Sequence, residues 1–169
     1  MGDSERQLSM AVSGNPDTGV IYARVLKLLG VRERSVHELR ERLLQEGFED
    51  EAIEEALVRA QACGALDDRR FAQAYIRGKL HVRWGRERIE RELMSYGVDV
   101  QTLSGYPSEF FFTNDDDDDV EVQRAVQELE RLRSTAKDQH EARWRRLRSK
   151  GYSAAVIQAA VRQVERVEE

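Results

Sequence analysis

The chain has a single cysteine, Cys63, and only two prolines, Pro16 and Pro107. One thiol excludes an intramolecular disulfide and a cysteine-rich zinc module. The expected place for Cys63 is that of a small buried apolar residue near a helix end. No apolar run approaches the roughly 20 residues of a membrane span, and the first residues are polar with no apolar core of a signal peptide behind them. The expectation is therefore a soluble protein of a reducing compartment, the cytoplasm. His37, His81 and His140 are scattered without a spacing suited to a shared metal. The sequence carries no glycine-rich phosphate loop and no nucleophile motif, so neither a cofactor nor a catalytic site is expected.

What is present is amphipathic. Of the 169 residues, 40% are hydrophobic and 35% charged, a mix that suits helices with heavily charged outer faces. The formal net charge of -5 argues against nucleic-acid binding through the whole surface, but leaves room for a local basic face. After a polar leader over 1–17, the helical signal starts with Tyr22, Val25, Leu26 and Leu29 at i, i+3, i+4 and i+7. Gly30 follows as an expected left-handed stop. Ser35 and Glu38 form an S-x-x-E capping box ahead of Leu39, Leu43 and Leu44, and Gly47 closes that helix. Asp50 is the candidate cap of a third helix with the stripe Ile53, Ala56, Leu57 and Ala60, ended by Gly64. Isolated helices of this length are marginal in water, so the three must bury their stripes together.

The pattern then recurs. Asp67 or Asp68 caps a helix carrying Phe71, Tyr75, Ile76 and Leu80 that runs to about Trp84 and Gly85. The next carries Ile89, Leu93 and Met94 and stops at Gly97. Aligned on the stops, Leu39, Leu43, Gly47 and Ile53 match Ile89, Leu93, Gly97 and Leu103, while Leu147, Gly151 and Ile157 repeat the last three offsets. Phe48, Val98 and Tyr152 follow the three glycines, which stand 50 and 54 residues apart. Between the second and third stops, Ser104-Gly105-Tyr106-Pro107-Ser108 should break a helix. Phe110 to Phe112 can fold back onto the array, and Asp115 to Asp119 suit a solvated loop or a helix N-terminus. Helices resume with Val122, Ala125, Val126 and Leu129, continue through Ala142, Trp144 and Leu147, and end with Ile157, Ala160, Val161 and Val164. The fold class is all-α, with about nine helices in three imperfect three-helix repeats forming an elongated curved array. The expected divisions are 18–65, 66–113 with an irregular end, an acidic loop over 114–119, and 120–169.

The stretch Gly64-Ala65-Leu66-Asp67-Asp68-Arg69-Arg70-Phe71-Ala72-Gln73-Ala74-Tyr75 resembles the L-D-D-x-R-F-A-x-x-Y signature of the RecX regulatory proteins. Arg83-Trp84-Gly85 followed by Ile89, Leu93 and Gly97 is similar to that family's R-x-G-x-x-x-I-x-x-x-L-x-x-x-G continuation. The resemblance spans about 19–166. The segment 104–119 departs from the family pattern. The resemblance implies an all-helical, non-enzymatic repeat protein that binds the RecA filament on single-stranded DNA and modulates recombinase, ATPase and coprotease activity, commonly by inhibition. A monomer suffices, since an array with capped ends needs no partner to fold. An array of repeats also suits a helical filament, where each unit adds avidity.

Two basic runs are candidate contacts with RecA or DNA phosphates. The first comprises Arg69, Arg70, Arg77, Lys79, Arg83, Arg86, Arg88 and Arg91, with only Glu87, Glu90 and Glu92 among them. The second comprises Arg143, Arg145, Arg146, Arg148 and Lys150 around Trp144. An ordinary solvated face with i, i+4 pairs such as Arg88–Glu92 explains the same runs, and core packing explains Trp144, although an exposed indole can stack on a base. Asp67 and Asp68 read as helix caps rather than a metal or acid-base pair. Other readings of the whole chain are a stand-alone nucleic-acid-binding helical module, or an adaptor that binds an unrelated protein through Phe110 to Phe112.

Overall fold

The computed structural model describes residues 16–111, 117–131 and 139–168, and among these it contains nine α-helices and no strand. In chain order they are α1 (Pro16–Leu29), α2 (Val36–Gln45), α3 (Asp50–Ala62), α4 (Asp68–His81), α5 (Arg86–Ser95), α6 (Ser108–Phe111), α7 (Asp117–Glu130), α8 (Gln139–Lys150) and α9 (Ala154–Glu168). The chain divides into two compact units, one ending at Phe71 and the other starting at Ala72. The polar leader lies almost wholly outside the described residues, as do Phe112 and the first aspartates of the acidic run. Asp117 opens α7, so the backbone of the rest of that run begins a helix.

In the first unit, α3 packs against both α1 and α2. Ile21, Val25, Leu39, Leu43, Ile53, Ala56, Leu57 and Ala60 are fully enclosed. The stripe of α3 is as the spacing predicts, but that of α1 is rotated. Leu26 is 40% exposed, and Ile21 and Leu28 take the inward places beside Val25. Spacings of three and four admit two neighbouring faces, and contact with α3 selects between them. For the same reason Leu44 and Met94 point outward while Leu43 and Leu93 fill the core.

The three recurring glycines end their helices in one way. Gly47, Gly97 and Gly151 all have positive φ, and each donates to the carbonyl three residues back (Leu44, Met94, Arg148). The following residue, Phe48, Val98 or Tyr152, donates to the carbonyl of Leu43, Leu93 or Leu147. This 6→1 and 5→2 pair of hydrogen bonds needs a left-handed residue, which glycine enters without a Cβ penalty. Gly30 is different. It is not left-handed, and α1 ends with an ordinary bond from its amide to the Leu26 carbonyl. The stop of α4 also departs from expectation, because the helix ends at His81 and Arg83 takes the left-handed position with φ 56°.

The caps are partly local and partly supplied from a distance. The Ser35 hydroxyl accepts from the Glu38 amide as the capping box predicts, whereas the Glu38 carboxylate is held by Arg32 and Arg34. The N-cap of α3 is Glu49, and Asp50 instead pairs with Arg40 at 2.8 Å. Asp67 caps α4, with its Oδ1 accepting from the amides of Arg69 (2.8 Å) and Arg70 (3.2 Å). Asp68 reaches elsewhere: its Oδ1 accepts from the amide of Val36, the first residue of α2, at 2.9 Å. Glu121 on α7 does the same for α5, accepting from the amide of Arg86, its first residue, at 2.9 Å. An acid near the start of one helix thus satisfies an orphan donor of an earlier one, twice in the chain.

Burial raises the carboxyl pKa of Asp68, outweighing the hydrogen bond from Val36. A raised folded-state value means that the native chain binds the proton more tightly than the unfolded one. Stability therefore falls as pH rises through the window between the unfolded and folded values. Asp68→Asn keeps an oxygen for Val36 and removes the charge, so it should match or exceed the parent at pH 7 and lose any advantage in acid. Asp68→Ala, which removes the acceptor, should cost about 1 kcal/mol. Urea denaturation of both variants at pH 4 and pH 7 measures the two effects.

The second unit includes a short 3-10 turn, Val100–Thr102, and the four-residue α6 where a full third helix of the repeat would stand. Phe110 and Phe111 turn inward from α6, 8% and 4% exposed, with Tyr106 against both rings. An adaptor surface built on these phenylalanines is therefore not available. Helices α7, α8 and α9 enclose Ala125, Leu129, Leu147, Ile157, Ala160 and Val161. The start of α5 sits directly on the turn after α8: the Gly85 amide donates to the Lys150 carbonyl at 2.9 Å. A Cβ on Gly85 would fall on the Gly151 carbonyl and the Tyr152 nitrogen, and one on Gly151 would fall on Arg88, each well under 3.0 Å. Two glycines thus let two backbones touch.

Candidate functional site

Most cations of the two basic runs have structural work inside the chain. In the first unit, Arg70 holds Glu33 at 2.5 Å and donates to the carbonyls of Gly64 and Ala65. Arg69, next to it, is half-buried. In the second unit, Arg86 pairs with Glu90 at 2.6 Å and lies over the rings of Tyr106 and Phe111. Arg88 stacks 3.7 Å from the Trp84 ring centroid, approaches Glu92 at 3.4 Å and donates to the Ser149 carbonyl. Lys79 covers the other aromatic contacts of that corner, 4.2 Å from the Trp84 centroid and 4.9 Å from that of Tyr75. The Tyr75 hydroxyl donates to Glu92 at 2.7 Å, and burial together with that carboxylate raises its pKa.

The second run divides in the same way. Arg143 is buried, 8% exposed, and reaches Gln139 and Glu165. Arg145 is exposed and pairs with Glu141 one turn earlier at 2.8 Å. Arg146 and Lys150 both bond the buried Glu128, and Lys150 also donates to the Val82 carbonyl at 3.0 Å. A surface pair such as Arg145–Glu141 contributes little to stability, whereas the Arg146–Glu128 link joins α8 to α7.

Arg77, Arg91 and Arg148 are exposed and have no ion pair or hydrogen bond among the described residues. Arg77 stands alone on α4. Arg91 and Arg148 come together: with Trp144 they line a groove of about 470 Å³ between α5, α8 and the start of α9. Gly151, Tyr152, Ala154 and Ile157 form its floor, and Glu87 stands at one side. Trp144 lies one turn before Arg148 on α8. It is half-buried, packing against the α7–α9 core while lining the groove. Two guanidinium forks beside an indole can grip a phosphate or carboxylate and stack a planar group.

Cys63 also departs from expectation. It is exposed at the end of α3, with its Sγ 3.3 Å from the Tyr22 hydroxyl. Among the described residues, no group of three or more His, Cys, Asp or Glu side chains is arranged to hold a metal, and no helix is long and apolar enough to cross a membrane.

Comparison with known proteins fits this architecture. Residues 22–59 match the family model described as RecX, first three-helix domain, and residues 67–103 that of RecX, second three-helix domain. The chain belongs to the RecX family. A regulatory protein RecX of Bacillus licheniformis is 30% identical over 155 residues, covering 85% of this chain and 55% of that protein. Its counterpart in Legionella pneumophila is 35% identical over 82 residues, 48% of this chain and 55% of the relative. The matched stretch thus spans about half the length of these curated relatives. The crystal structure of RecX from Lactobacillus salivarius superposes with a TM-score of 0.71 over 88% of this chain and 97% of that one, at 18% identity. That likeness shows the fold, an all-α tandem helical array. These relatives are named regulatory proteins.

Proposed function

We propose that this chain binds the RecA filament on single-stranded DNA and restrains its recombinase, ATPase and coprotease activities by binding alone. The family supports a regulatory role. The observation that carries the contact surface is the groove of Arg91, Arg148 and Trp144. In a chain of net charge -5, it brings together two arginines with no partner among the described residues, beside a part-exposed indole. Three repeats, 18–65, 66–113 and 120–169, are the units of the proposal, and the groove is built from the second and third. The chain acts as a monomer in the cytoplasm. Arg70, Lys79, Arg86, Arg88 and Arg143 hold the repeats in shape rather than meet the filament, and Arg77 and Arg145 extend the basic face.

The test is RecA-dependent ATP hydrolysis on single-stranded DNA, with this protein added at substoichiometric ratios. The expected result is a fall in rate that added RecA reverses. An unchanged rate together with no filament binding would remove the RecA role. A second reading, a module that binds bare single-stranded DNA, is favoured by the same indole, since base stacking needs no RecA. Steeply salt-dependent binding to an oligonucleotide without RecA would select it.

A further inference from the structure

We propose that the chain carries a separate site for a phosphate-class oxyanion, in a groove of about 610 Å³ walled by Arg83, Arg131, Arg146 and Lys150. It lies on the other side of α8 from Trp144 and Arg148, because residues two apart on a helix are separated by about 200°.

Charge is the first argument. Four cations face one carboxylate, Glu128, so among the described residues the concavity carries an excess of three positive charges. Glu128 is 4% exposed and lies against Arg146 and Lys150 from beneath. It holds those two side chains in place and cannot also serve Arg131, which is exposed and without a partner among the described residues. Like charges gathered in this way repel one another unless an anion sits among them.

Arg83 is the second argument. Its Nε is enclosed and has no hydrogen-bond partner among the described residues, and a buried unpaired donor carries the full cost of its lost hydration. Its backbone is left-handed at φ 56°, where every other described residue with positive φ is a glycine. A side chain at such a position carries a conformational penalty that glycine avoids. The turn itself is fixed. The Tyr152 hydroxyl donates to the Arg83 carbonyl at 3.1 Å, and Lys150 Nζ to the Val82 carbonyl at 3.0 Å. The fork of Arg83 is therefore presented from a rigid corner.

Phosphate oxygens match this donor set, since guanidinium groups grip them in pairs and an ammonium supplies a point charge. The anion is either a free phosphate group or the phosphodiester backbone of a nucleic acid. Neither source requires RecA, so this proposal stands or falls apart from the filament reading.

Calorimetric titration of the full chain at low salt with pyrophosphate and, separately, with a thymidine oligonucleotide decides it. Arg83→Gly removes the guanidinium and keeps a backbone suited to the left-handed turn, and Arg131→Ala removes an exposed cation with no partner among the described residues. Each should weaken binding tenfold or more, while Lys27→Ala, an exposed cation of α1 in the first unit, leaves it unchanged; circular dichroism confirms that the variants are folded. Binding of pyrophosphate alone identifies a free phosphate ligand, and binding of the oligonucleotide alone identifies the backbone. No binding of either, or binding indifferent to both variants, overturns the site.

Discussion

Gly85→Ala should destabilise the second unit by about 3 kcal/mol or more, an effect outside the usual range for adding one methyl group. The new carbon has nowhere to go. Its nearest neighbours would be the Gly151 carbonyl and the Tyr152 nitrogen, which are backbone atoms and cannot rotate aside. Relief requires α5 to lift from the turn after α8, which breaks the bond from the Gly85 amide to Lys150. The bond of Arg88 to the Ser149 carbonyl depends on the same approach. Gly151→Ala should be as severe, since it adds a left-handed φ of 85° to a collision with Arg88. Gly78→Ala is the control, because a Cβ there meets nothing within 4 Å and the position is helical. Guanidinium denaturation followed by tryptophan fluorescence reads the change, since Trp84 and Trp144 both belong to this unit. A loss below about 1 kcal/mol for Gly85→Ala would mean that the junction is looser than described.

The double reversal Arg91→Glu with Arg148→Glu should weaken binding to RecA filaments by about a hundredfold, roughly tenfold for each arginine if the effects add. Neither residue has a partner to strand among the described residues, so the folded chain should keep its stability within about 0.5 kcal/mol. The salt dependence of binding should flatten along with the affinity, because fewer counterions are exchanged. Reversing Arg145 alone is expected to do less, as its charge is already opposed by Glu141. Fluorescence anisotropy on labelled filaments at two salt concentrations provides the measurement. Unchanged affinity in the double variant would move the contact away from this groove.

Helix stops at left-handed glycines were legible in the sequence, unlike the ends of α1 and α4. Gly47, Gly97 and Gly151 announce left-handed residues because other side chains pay to enter that region. The stripe of α3 was legible too, as Ala56 and Ala60 leave only one apolar face. Leu26 and Met94 were misleading, since their spacing fits either of two adjacent faces and only the neighbouring helix selects one. Arg83 in place of a glycine was not foreseeable, because Gly85, two residues on, is reserved for backbone contact. The arginines were the hardest to read. Composition located both basic runs, but the acids that occupy Arg70 and Arg146 lie 37 and 18 residues away. The groove that unites Arg91 with Arg148 brings together residues from α5 and α8, which local spacing does not report.

The acid that completes α2 belongs to a later part of the chain, and this bears on how the protein emerges from the ribosome. When residues 18–65 have been made, all three helices of the first repeat exist, yet the Val36 amide has no acceptor until Asp68 is synthesised. Leu66, which joins the same core, also arrives late. The first unit should therefore stay frayed at the start of α2 until the beginning of α4 is free to dock. A fragment cut at 65 would be less resistant to proteolysis near Val36 than one cut after Phe71. Nascent chains would commit to this fold only after the next repeat has begun.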